Sequence, residues 1–130
     1  PKEKQLNGMG DIYYPNIPNI VDILISDRNA VKLIVDCAKG TKYEGFLDNI
    51  AMRNAESIRI AAENVEGKTV NSIEGQTMEV LMDGYIRTLF RLILSNKKRE
   101  TIIQCMEMIG KIYEKGIMAL MEEDVEDELR

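Results

Sequence analysis

Histidine is absent from this chain of 130 residues, and so is tryptophan. The first absence removes the side chain that most often serves as general base near neutral pH. It also removes every serine or cysteine triad that relies on imidazole, and every zinc site built on histidine. Only two cysteines occur, Cys37 and Cys105, far apart in the chain. No closely spaced thiol pair exists, so neither a zinc ribbon nor a dithiol redox centre is indicated. Both cysteines fall in apolar periodic segments. That predicts two buried thiols acting as small hydrophobes, with a disulfide as the alternative. Aromatic residues make up only 5% of the chain, so the core must be built from Ile, Leu, Val and Met.

Long apolar runs are missing too. The longest are broken by charge well short of the ~20 residues a membrane-spanning helix needs. The start, Pro1 to Gln5, is charged, and no apolar run follows before Asp11, so no secretory signal is read there. A cytoplasmic location is the expectation.

What is present describes a globular protein. Hydrophobic residues are 45% and charged residues 30% of the chain, which suits a folded domain rather than a disordered one. The length fits a single domain whose core needs no disulfide or metal. The net charge is −5, and the acids are unevenly placed. Glu122, Glu123, Asp124, Glu126, Asp127 and Glu128 crowd the end, and the rest is close to neutral. Proteins that live on nucleic acid usually carry a basic excess, because phosphate neutralisation supplies most of their affinity. The total therefore argues against strong autonomous binding, while leaving room for a local basic face.

The pattern along the chain is mainly helical. Residues 1–18 read as a loose arm, punctuated by Gly8, Gly10, Pro15 and Pro18. Tyr13 and Tyr14 could pack that arm onto the domain or present it to a partner. A helical stripe then runs through Ile20, Ile23, Leu24, Val31, Ile34, Val35 and Ala38, with Asn19 as its cap and Gly40 suited to closing it. Ser26 and Asp27 sit in mid-pattern, so one bent helix or two short ones are both open. Phe46, Leu47, Ile50, Ala51 and Ala55 predict a helix over 45–55. Alternation in Ser57-Ile58-Arg59-Ile60 and in Lys68-Thr69-Val70-Asn71-Ser72-Ile73 predicts a β-hairpin over 57–73, turning at Gly67. A helix continuing to Val65 is the rival, on the spacing Leu47, Ile50, Ala55, Ile58, Ala62, Val65.

From Thr77, as cap, the helical signal is strong. Met78, Leu81, Met82, Tyr85, Leu89, Phe90 and Ile93 form one face, and Ser95 and Asn96 stop it. A second stripe runs from Ile102 through Met106, Ile109, Tyr113 and Ile117 to about Glu123. The two segments predict a long antiparallel helical hairpin, with fraying from about Glu122. The fold expected is therefore a mainly α bundle with a small β-hairpin insert. Its single domain covers 19–123, and an acidic tail covers 124–130.

Motifs for chemistry are few. Gly67-Lys68-Thr69 resembles the end of a phosphate-binding loop, but position 62 is Ala62 where that loop needs glycine. Gly8-Met9-Gly10 lacks the strand before it and the helix after it that a dinucleotide site needs. No cofactor, metal site or small-molecule substrate is implied, and no catalytic residue is named. The bases are more informative. Arg87 and Arg91 are four apart on one helix face, and Lys97, Lys98 and Arg99 open the next helix. These five could converge on phosphate oxygens at one end of the hairpin. Arg28, Lys32 and Lys39 form a second, weaker stripe. Solvated helix faces are the plain alternative for both sets.

Glycines interrupt both long helices at Gly84, Gly110 and Gly116, each at a cost of about 1 kcal/mol relative to alanine. Close approach of another backbone would offset that cost. The Met-rich last helix has more apolar groups than one narrow stripe can bury. Met108, Gly110, Gly116 and Met118 are therefore candidates for a partner interface.

The order of parts resembles the small subunit of archaeal type I-A CRISPR surveillance complexes. The helical pair Met78–Ile93 and Ile102–Met121 and the insert Ser57–Ile73 carry the resemblance. It implies a non-catalytic role in antiviral defence, as one subunit of a ribonucleoprotein complex that helps hold target DNA against guide RNA. Arg87, Arg91, Lys97, Lys98 and Arg99 would then take the phosphate contacts, weakly. The acidic balance departs from that picture. The rival expectation is a helical oligomerisation or adaptor protein that self-associates and touches no nucleic acid. Neither expectation involves a membrane.

Overall fold

A computed structural model describes residues 16–65, 67 and 69–129, with side chains placed through 64 and from 69 to 120. Within the described residues five helices follow one another: α1 (Ile17–Ser26), α2 (Arg28–Asp36), α3 (Phe46–Val65), α4 (Ser72–Ile93) and α5 (Arg99–Leu129). No strand occurs among the described residues. Of the predicted loose arm at 1–18, residues 1–15, including Tyr13 and Tyr14, lie outside them, whereas Ile17 and Pro18 are already helical and Ile17 is buried in the core.

The front half is two short helices rather than one bent one. Asp27 breaks the chain with φ −140° and ψ 64°, and its carboxylate accepts from the Ala30 N–H at 3.2 Å, which caps α2. Helix α1 starts at Ile17, ahead of the predicted cap Asn19. Pro18 sits in its first turn, where a missing N–H costs nothing. Helix α2 ends at Asp36, earlier than predicted, and Gly40 takes φ +78° in the irregular link that follows. The two thiols are not buried. Cys37 is exposed at the end of α2, Cys105 is half-buried on α5, and both are free.

The predicted hairpin over 57–73 is not formed. Helix α3 runs on to Val65, and its buried residues Leu47, Ala51, Ala55, Ile58 and Ala62 repeat every three or four positions. Ile58 is completely buried, whereas Ile60 is 44% exposed, so the two isoleucines do not share a face as a strand would require. Arg59 between them forms ion pairs with Glu56 and Glu63 at helical spacing. Those pairs turn an apparent strand alternation into a solvated helix edge.

Helix α4 begins at Ser72, not at Thr77. The Asn71 side chain accepts from the Glu74 N–H at 2.9 Å, and the Glu74 carboxylate accepts from the Asn71 N–H at 3.1 Å. This reciprocal capping box satisfies two of the helix's orphan donors. Thr77 lies inside the helix, its hydroxyl donating to the Ile73 carbonyl at 2.8 Å. Met78, Met82, Tyr85, Ile86, Leu89, Phe90 and Ile93 line the buried side of α4. Helix α5 returns along α4 after a short link, forming the predicted antiparallel pair, and buries Ile102, Met106 and Ile117. Its backbone stays helical through Leu129, past the predicted fraying point.

Helix α4 is the centre of the bundle. Helices α1, α2, α3 and α5 all pack on it, and α1 also packs on α5. The core is aliphatic as composition required, with Phe46 and Phe90 the only phenylalanines, their ring centroids 6.4 Å apart. No helix of the described residues is long and apolar enough to cross a membrane.

Candidate functional site: the outer face of the last two helices

Helix α5 has two apolar faces. One supplies the buried residues named above. The other points outward: Met108 is 67% and Ile112 69% exposed. Leaving such side chains in water forgoes about 1.5–3 kcal/mol each relative to full burial. On α4, Ile73, Thr77, Val80 and Gly84 follow at four- and three-residue spacing, so they form one stripe. Ile73 and Val80 in that stripe are also strongly exposed.

Only the Gly84 end of the α4 stripe is placed against α5; Ile73, eleven residues earlier, lies about 16 Å farther along α4, in the direction away from Met108. A side-chain carbon added at Gly84 would lie 3.2 Å from the Tyr113 hydroxyl oxygen. The Tyr113 ring packs edge-on against Tyr85 with centroids 5.4 Å apart. Burial first, and the Tyr113 phenol second, push the Tyr85 phenol above the usual tyrosine range. Beside Tyr113 an open apolar cleft of about 240 Å³ is lined by Leu81, Ile112, Tyr113, Gly116 and Ile117. Gly116 faces open space, so no neighbouring backbone in this chain explains that glycine.

The residues predicted for a partner interface do not all meet. Met108 and Gly116 lie on the outward side. Gly110 is buried, and Met118, 38% exposed, lies two helical positions around from Gly116 on another side of α5. Sequence reasoning missed Ile112, Val80 and Ile73. Their signal was present in the apolar positions left over once the α4 and α5 core stripes are assigned.

The five predicted phosphate-binding bases are divided by the fold. Arg87 donates through Nε to Asp83 on its own helix at 2.9 Å and through Nη2 to Asp48 on α3 at 2.8 Å. Those hydrogen bonds, Asp83 first, raise the Arg87 pKa. Arg99 donates through Nη2 to Asp22 on α1 at 3.0 Å and through Nη1 to Glu100 at 3.3 Å. The same contact holds the Asp22 carboxyl below the usual carboxylate range. These two guanidinium groups therefore carry their own counter-ions. Arg91, Lys97 and Lys98 are exposed, and none of them has an ion pair among the described residues. Arg28, Lys32 and Lys39 are likewise exposed.

A second apolar hollow of about 350 Å³ opens between α1, α3 and α4, walled by Ile20, Leu24, Phe46, Ile50, Tyr85 and Leu89. The only polar groups on its described rim are Asn16, Asn54 and the Tyr85 phenol. Asn54 spends its amide on the Ile50 carbonyl at 2.8 Å. Among the described residues, no three acids or thiols are placed to hold a metal ion together.

Compared with known proteins, the chain matches no family model, no curated protein and no solved structure.

Proposed function

We propose that this chain is a non-catalytic association module, whose working surface is the outer apolar face of α4 and α5. The observation that carries this reading is the outward pair Met108 and Ile112, with Ile112 on the wall of the apolar cleft that it shares with Leu81, Tyr113 and Gly116. Scattered exposed apolar residues are ordinary. Exposed apolar side chains beside an open apolar cleft between two helices are the usual mark of a protein interface. The chemistry of the sequence points the same way, since it offers no imidazole and no paired thiols. Purification of the tagged chain from its native host tests the reading. A protein that co-purifies with the wild type is expected to be lost with Ile112→Glu and kept with Arg91→Glu.

The second reading is the one the CRISPR resemblance implies, a small subunit that helps hold DNA. It is favoured by one observation: Arg91, Lys97 and Lys98 stand exposed near one end of the α4–α5 pair, with no ion pair among the described residues. Arg87 and Arg99 contribute less to it, being held by Asp48, Asp83 and Asp22. On this reading binding weakens steeply as salt rises, because each phosphate contact releases a counter-ion. Association through the apolar face is nearly insensitive to salt.

A further inference from the structure

We infer that the partner on this surface is a second copy of the same chain, with the two α5 helices packed antiparallel about a two-fold axis near residue 110. The inference rests on the association reading above and names its partner.

Thr101, Cys105, Met108, Ile112, Lys115 and Ala119 recur on α5 at alternating four- and three-residue spacing. That is the spacing of a two-helix coiled-coil seam, and Met108 and Ile112 are its large apolar residues. Every one of them is exposed except Cys105, which is half-buried. An antiparallel pair brings position n of one helix opposite position 220 − n of the other when the axis passes at 110. Met108 then meets Ile112 of the second copy, twice, so the most exposed apolar side chains of α5 bury each other. Thr101 meets Ala119, and Cys105 meets Lys115, whose apolar stem can cover the thiol while its ammonium reaches water.

Charge complementarity selects this register and this partner. Lys97 and Lys98 immediately precede α5, whereas Glu122, Glu123 and Asp124 belong to its far turns. The backbone is helical from Arg99 through Leu129, a length of about 46 Å at 1.5 Å per residue, so the basic pair and the acidic turns stand at opposite ends of one helix. In the 220 register position 97 falls level with 123 and position 98 with 122. Basic and acidic turns of the two copies therefore coincide at both ends. A parallel pair would set like charges side by side. One helix thus carries both halves of its own complement, which is what a two-fold interface requires.

Sedimentation equilibrium of the purified full chain tests the inference. The wild type is expected to dimerise and Ile112→Glu to remain a folded monomer by circular dichroism. The decisive arm uses two charge-reversed variants, Lys97→Glu/Lys98→Glu and Glu122→Lys/Glu123→Lys. Each alone should dimerise about tenfold more weakly or worse, because like charges now face each other at both ends. Mixed one to one they should pair with each other at wild-type strength. Failure of the mixture to recover overturns the antiparallel register. A wild type that stays monomeric at every concentration overturns self-pairing, yet the association reading survives if an Ile112-dependent partner of another kind is purified from the host. If Ile112→Glu changes neither self-association nor host partners, the association reading itself falls.

Discussion

The Tyr113 hydroxyl oxygen stands where it would lie 3.2 Å from a side-chain carbon at position 84, and position 84 is glycine. Helix α4 thus gives up helix propensity in its middle so that α5 can approach with a tyrosine. The relationship has a measurable sign. In a Tyr113→Phe background, where the oxygen is gone, Gly84→Ala should stabilise the fold by about 1 kcal/mol. In the wild-type background the gain should shrink or reverse, because the ring packed against Tyr85 has little room to give. Urea midpoints of the four proteins measure the coupling.

Ile58 and Ile60 distinguish a helix from a strand by energy alone. Ile58→Ala should cost about 2–5 kcal/mol, as core truncations do, and Ile60→Ala under about 1 kcal/mol. A strand with both side chains on the core face would make the two costs alike. Chemical denaturation with an unchanged m-value is the check.

The capping box at the head of α4 should be worth about 1 kcal/mol, read as the loss on Asn71→Ala. Replacement by Ser or Asp should recover most of it. Thr77→Ala should cost less, since that hydroxyl only returns to a carbonyl already bonded within the helix. Thermal melts of the three variants decide between the two positions as the start of α4.

Alkaline pH should unfold the protein through Tyr85. Its folded pKa is raised above that of the unfolded chain, near 10 for tyrosine. The buried phenol therefore contributes stability that is fully present below about pH 10 and is lost as pH climbs toward the folded value. Melting temperatures should fall above about pH 10 in the wild type and fall less in Tyr85→Phe.

At the acid end the sign is opposite. Arg99 lowers the folded pKa of Asp22, so this pair adds stability above the ordinary carboxylate range, and loses it as pH falls through the folded pKa, below about pH 4. Asp22→Asn should flatten that part of the stability profile. Carbon-detected titration of the Asp22 carboxyl gives the shift directly.

These residues also show why some of the molecule was legible and some was not. The α4–α5 pair could be read because its core stripe is long and strongly periodic, and an aliphatic composition leaves few other places for Met82, Leu89 or Ile102. The second half of α3 was misread because Ser57 to Ile60 satisfies two periods at once over four residues. Only the ion pairs of Arg59 and the depth of Ile58 separate them. The start of α4 was legible in principle: Asn71 followed three residues later by Glu74 is a capping signature, masked because Lys68 to Ile73 also alternates as a strand does. The proposed association face was half legible. Excess methionine announced it, but which methionines turn outward depends on where α4 lies against α5. The fate of the bases was not legible, because Asp22 and Asp48 reach Arg99 and Arg87 from helices distant in sequence.

The Asp22–Arg99 clamp joins residues 77 positions apart, and α1 is only ten residues long. A helix that short is marginal in water by itself. Helix α2 beside it offers little surface, and the larger supports α4 and α5 both follow in the chain. Cutting the one pair at Arg99 should therefore let α1 open locally while the rest of the bundle stays folded.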